Sequence, residues 1–215
     1  MNHEFWYQKW QNNQIGFHET EVNAHLKQQI SSLVPAAAAR VFVPLCGKSN
    51  DLGWLADQGY HVLGCELSQM AVEAFFDERD MTPEVMQNGP LRRYAVDRIE
   101  IFAGDIFELQ SEALGRVDAI FDRAALVALP EDMRRVYAQH LAKITATAPQ
   151  LLISFDYDTS RMQGPPFSVT GDEIHRLYDS QYQVQQISDA VLTGPMAERC
   201  DAKETVWTLT APASA

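Results

Sequence analysis

The sequence has no surplus of basic residues, few cysteines and no long apolar run. Lys and Arg number 17 against 29 Asp and Glu, giving a formal net charge of −12. A surface of that sign repels phosphate backbones and anionic lipid, so neither nucleic acid nor a membrane is expected as a partner. It would tolerate a small cationic ligand. Three cysteines, Cys46, Cys65 and Cys200, are an odd number without metal-ligand spacing. Reduced thiols in the cytoplasm are expected rather than a disulfide framework. The six histidines show no ligand spacing either, and no metal site is expected. The most apolar stretch, residues 33–46, is interrupted by Pro35, Arg40 and Pro44 and cannot span a bilayer. The start, MNHEFWYQKW, carries Glu4 and aromatics where an export signal would have a basic start and an apolar core.

What is present is ordinary globular composition, 46% hydrophobic over 215 residues. A chain of this length buries roughly 70% of its unfolded surface and needs no staples. Without repeats or a Gly/Ser linker, residues 1–215 read as one domain, expected as a monomer, with an aromatic N-terminal segment over about residues 1–34. Short apolar runs alternate with amphipathic stretches. Strands are predicted over residues 40–45, 61–66, 99–103, 117–122 and 151–156, and helices over 52–58, 68–79 and 130–146. Residues 157–168, with Gly164-Pro165-Pro166, read as a loop and 171–178 as a helix. Residues 183–188 and 205–210 read as two last strands, joined without a convincing crossover helix and so paired antiparallel. The sum is an α/β fold, a mostly parallel sheet with an antiparallel edge strand. Rossmann-like methyltransferases share that outline with other nucleotide-binding folds.

Ligands of such sheets bind beyond the carboxyl ends of the strands. The first end is Pro44-Leu45-Cys46-Gly47-Lys48-Ser49. Gly47-Lys48-Ser49 suggests a phosphate loop, but the required glycine five residues earlier is Phe42. A dinucleotide fingerprint fails as well, with one glycine where three would cradle a pyrophosphate. A cofactor without phosphates needs fewer such N–H groups. Glu66 closes the second strand, where a carboxylate can accept from both hydroxyls of a ribose. Its bland reading is a strand-end acid beside a helix start. Gly104-Asp105-Ile106-Phe107 follows the third strand. Asp105 there can meet an adenine amine while an apolar neighbour packs on the ring, or it is simply a turn former. Arg123, after the fourth strand, can hold a carboxylate or an anionic acceptor, or pair with a nearby acid such as Asp122. Trp6 and Trp10, four apart, share one helical face. With Phe5, Tyr7 and Phe17 they form either a packed terminal helix or a lid.

PLCGKS (residues 44–49), FDRAAL (121–126) and GPPF (164–167), after an N-terminal Trp6-x-x-x-Trp10 and Phe17-His18, together resemble the thiopurine S-methyltransferase family along nearly the whole chain. The resemblance implies methyl transfer from S-adenosylmethionine to sulfur of aromatic or heterocyclic thiols, extending in bacterial relatives to selenium and tellurium species. It puts Trp10, Leu45, Glu66, Asp105, Ile106 and Arg123 around the cofactor and Phe17 beside the substrate. Arg199 corresponds to a substrate-side arginine, in a C-terminal segment shorter than the family's. No residue is assigned as a catalytic base, because an acidic heterocyclic thiol ionises near neutral pH unaided and the thiolate is the nucleophile. The alternatives are an NAD(P)-dependent Rossmann oxidoreductase, opposed by the single glycine and the lack of a Tyr-x-x-x-Lys pair, and a non-catalytic nucleotide-binding module.

Overall fold

A computed structural model describes residues 3–34 and 38–212. Met1 and Asn2 of the aromatic segment and Pro35 of the apolar stretch lie outside the described residues. The chain forms two compact units, residues 1–121 and 122–215.

The first unit opens with helices α1 (His3–Gln11) and α2 (Ala24–Leu33). Then follow β1 (Arg40–Pro44), α3 (Asn50–Asp57), β2 (His61–Glu66), α4 (Gln69–Asp77), β3 (Glu84–Asn88), β4 (Leu91–Val96), β5 (Ile99–Ala103) and α5 (Ser111–Leu114). Strand β6 (Ala119–Arg123) begins in this unit. Its sheet order is β3-β4-β5-β2-β1-β6. The four strands β5, β2, β1 and β6 are parallel, with Val41 opposite both Val62 and Ala119. Parallel strands covered on both faces must be apolar throughout rather than alternating. Accordingly Val41, Phe42, Val62, Leu63, Ile101, Phe102 and Ile120 are fully buried. Helix α4 adds Ala71, Val72, Phe75 and Phe76, a stripe at helical spacing.

One prediction is incomplete. Residues 84–96 form an antiparallel hairpin at the sheet edge, turning at Gly89-Pro90 with Asn88 opposite Leu91. Strand β3 is exposed on both faces except at Asn88, so it has no apolar alternation to read. Asn88-Gly89 was the available signal.

In the second unit α6 (Glu131–Ile144), β7 (Gln150–Asp156), α7 (Gly171–Tyr178), β8 (Gln183–Val191), α8 (Pro195–Cys200) and β9 (Lys203–Thr210) follow one another. The order is β7-β9-β8, antiparallel at both pairings. The expected final hairpin is there, with longer strands and a one-turn-plus helix, α8, in its connection. The ion pair of Arg134 and Glu173, buried and held at 2.7 and 2.8 Å, ties α6 to α7. No helix among the described residues is long and apolar enough to cross a membrane.

Candidate cofactor and acceptor site

Strand β1 ends in a strained turn. Leu45 takes φ +46, a left-handed conformation unfavourable for a leucine, and Gly47 follows at φ +54. Cys46 donates its N–H to the Cys65 carbonyl at 3.0 Å, holding the turn against the end of β2. There Glu66, only 6% exposed, accepts the Gly47 N–H at one oxygen and the Ser68 N–H at the other, each at 2.8 Å. Burial raises the Glu66 carboxyl above its ordinary range, and the N–H groups of Ser68, Gly47 and Leu67 pull it back. A carboxylate has about four acceptor positions, so two hydrogen bonds leave capacity for a diol. Glu66 thus fastens the glycine turn to β2 while facing the strand ends.

The aromatic segment lies on this turn. A Cβ at Gly47 would stand 3.2 Å from the Trp10 ring, so the glycine also makes room for the indole. Trp10 is buried, and Phe17 contacts both Trp10 and Trp6 edge-to-face with centroids at 5.5 and 5.7 Å. Trp6 and Trp10 do present one face, and Phe17 fills it.

After β5, Ile106 is 2% exposed at the start of a 3-10 turn, residues 106–108. Asp105 caps that turn through the Phe107 N–H at 3.0 Å and meets His3 Nε2 at 2.9 Å with its second oxygen. Asp105 is therefore a turn former in this structure. The His3 contact joins residues 102 apart in sequence and left no local signal.

Two buried thiols neighbour Glu66. Burial, and then the Glu66 charge, push both Cys46 and Cys65 well above the usual thiol range. Both therefore stay protonated at neutral pH and are poor nucleophiles, so neither competes with an external acceptor.

In the second unit, Arg123 closes β6, half-buried, and precedes Ala124 at φ +61. Asp122 is fully buried and accepts the Tyr137 hydroxyl at 2.7 Å and the Leu126 N–H at 3.1 Å. Arg199 is exposed on the short helix α8.

Residues 1–210 match the family model for thiopurine S-methyltransferase. A thiopurine S-methyltransferase of Gluconobacter oxydans is 48% identical over 206 residues, covering 96% of this chain and 94% of that protein. Another, from Xanthobacter autotrophicus, is 49% identical over 210 residues, covering 97% and 99%. This chain belongs to the thiopurine S-methyltransferase family. It is an S-adenosylmethionine-dependent S-methyltransferase, and the oxidoreductase and non-catalytic readings fall away.

Among solved structures, the chain resembles a TehB-like S-adenosylmethionine-dependent methyltransferase of Corynebacterium glutamicum, with TM-score 0.58 at 15% identity, covering 98% of both chains. It also resembles the 1,6-didemethyltoxoflavin N1-methyltransferase of Burkholderia thailandensis, solved with bound 1,6-didemethyltoxoflavin and S-adenosylhomocysteine. There the TM-score is 0.65 at 14% identity, covering 98% of this chain and 87% of the other. At such identities the likeness concerns the fold. The residues of this family member fit the cofactor on chemistry: a carboxylate with spare acceptor capacity for a ribose, a turn with too few N–H groups for a pyrophosphate, and buried apolar flanks at Ile106 and Trp10.

Proposed function

We propose that this methyltransferase acts on the sulfur of aromatic and heterocyclic thiols of the thiopurine kind, and on selenium or tellurium species of similar nucleophilicity. The observation that carries the reading is the Glu66 carboxylate bridging the glycine turn and the start of α4 beneath a buried indole. The names shared by the curated relatives support the acceptor class. Glu66 accepts the ribose hydroxyls, Leu45, Ile106 and Trp10 pack on the cofactor's apolar parts, and Asp105 supplies a polar contact for the adenine. Arg123 offers a planar fork to a carboxylate or to an anionic acceptor. Phe17 contacts the acceptor, and Arg199 is assigned to it by resemblance alone. The protein works as a cytoplasmic monomer on a small molecule.

Bound S-adenosylmethionine supplies a methyl group on a positively charged sulfur. The protein's part is to orient and to exclude water. Attack by a thiolate cancels one positive and one negative charge, and water stabilises the separated charges more than the dispersed transition state. An apolar cover such as Trp6, Trp10 and Phe17 therefore speeds the step, and alignment supplies much of the remainder. No side chain is needed to remove a proton from an acceptor that is already ionised. The test is transfer of labelled methyl to a panel of thiols, alcohols and amines. Labelled thioethers from the aromatic thiols are expected; transfer confined to nitrogen or oxygen acceptors would overturn the reading.

A further inference from the structure

Lys48, Ser49, Asn50 and Asp51 follow the glycine turn where a phosphate loop would place its ligands, and none is spent that way. Lys48 pairs with Glu78. Ser49 caps α3, accepting the Asp51 N–H at 3.1 Å. Asp51 is 3% exposed, and its carboxylate is divided. One oxygen accepts the Ser49 hydroxyl at 2.9 Å, the other the backbone N–H of Asn23 at 2.8 Å, 28 residues away. Asn23 is itself the cap of α2, its side-chain oxygen accepting from His25 and Leu26 at 3.0 and 3.1 Å. The Asn50 amide donates to the carbonyls of Glu19 and Thr20 at 3.2 and 2.9 Å, while its oxygen accepts from Arg79 at 2.5 Å.

The first turn of α3 therefore holds residues 19–23, the chain between Phe17 and α2. We infer that Asn50 and Asp51 are positioning residues, a clasp that seats the Trp10–Phe17 segment on the Gly47 turn and thereby sets cofactor affinity. The carboxylate fits this use and opposes phosphate binding, since it puts a negative charge at the helix start where a phosphate would bind. One buried acid joins the caps of two helices, so the glycine turn and the aromatic segment cannot shift independently without orphaning a buried N–H. The clasp rests on the proposed cofactor role of Trp10 and Phe17.

The test is titration of S-adenosylhomocysteine into the 215-residue protein, followed by calorimetry and tryptophan fluorescence, with thermal unfolding as a control. Asp51→Ala and Asn50→Ala should each weaken binding roughly tenfold, the scale of one or two lost hydrogen bonds. Asp51→Asn, which keeps an oxygen for the Asn23 N–H, should recover most of the affinity. If Asp51→Ala does not fold, Asn50→Ala, at a half-buried helix position, decides. In a Trp10→Ala/Phe17→Ala background, Asn50→Ala should cost nothing further. Wild-type affinity in the clasp variants, or an equal additional loss in that background, would overturn the clasp alone. Wild-type affinity and methyl transfer in the Trp10→Ala/Phe17→Ala protein would overturn the role of the aromatic segment, and the clasp with it.

Discussion

Two buried carboxylates stand at or beside the ends of two strands of this protein, and they are held in different ways. Glu66, at the end of β2, accepts backbone N–H groups from the glycine turn and the start of α4. Asp122, near the end of β6, takes a backbone N–H and the hydroxyl of Tyr137 from inside α6. Burial raises both, Asp122 to about 6. The comparison teaches that buried acids at strand ends can be satisfied by different parts of the chain, by turn N–H groups at Glu66 and by a core phenol at Asp122. The phenol and the Leu126 N–H tie Asp122 to α6 and to the turn through Ala124.

The largest effect that would sharpen this contrast is on stability against pH. Asp122 binds its proton more tightly folded, at about 6, than its ordinary 3.8. Its contribution to stability is therefore complete below about pH 4 and is lost as the pH rises through 6. That gap is worth roughly 3 kcal/mol. Asp122→Asn, isosteric and able to keep the Leu126 contact, should remove this fall. Urea unfolding of both proteins at pH 4, 5, 6 and 7 checks it, and parallel slopes would return Asp122 to an ordinary acid.

Next in size is Arg123→Lys. An ammonium cannot reproduce the guanidinium fork, so turnover should drop roughly thirtyfold, the scale of one charge-assisted hydrogen bond of about 2 kcal/mol. Melting temperature should barely move. Steady-state kinetics with the best thiol of the panel checks this, and wild-type turnover would leave Arg123 as a structural partner only.

Smaller still is Gly47→Ala. At φ +54 an alanine costs about 1–2 kcal/mol, and its Cβ would stand against the Trp10 ring. Stability should fall by that amount, with a change in tryptophan emission reporting the displaced indole. Unaltered emission would separate Trp10 from the glycine turn.

Much of this was legible in the sequence, for physical reasons that differ by residue. Strands buried on both faces announce themselves as apolar runs, and the ones over residues 61–66 and 99–103 match the structure at both ends. Glu66 could be singled out because fold geometry fixes its spacing from Gly47, 19 residues earlier. The β3–β4 hairpin could not, since its outer strand is solvated on both faces and only the Asn88-Gly89 turn marks it. Asp51 was equally silent: its partner Asn23 is determined by packing, and no local pattern encodes a contact across 28 residues. Removing Glu66 also carries a cost the sequence did not reveal. It would orphan the buried N–H groups of Gly47 and Ser68, at about 1–3 kcal/mol each, so a loss of stability should accompany the loss of ligand.

The contrast between the two acids is tested most directly by one calorimetric titration of S-adenosylhomocysteine into the wild-type, Glu66→Ala and Asp122→Asn proteins, each first shown to be folded at the working temperature. If Glu66 holds the ribose as proposed, loss of two charge-assisted hydrogen bonds should weaken its variant about a hundredfold, or 2–3 kcal/mol. The Asp122 variant should stay within about threefold of wild type. Full affinity in a folded Glu66→Ala protein, or a comparable loss in Asp122→Asn, would contradict the division of labour between the two strand ends.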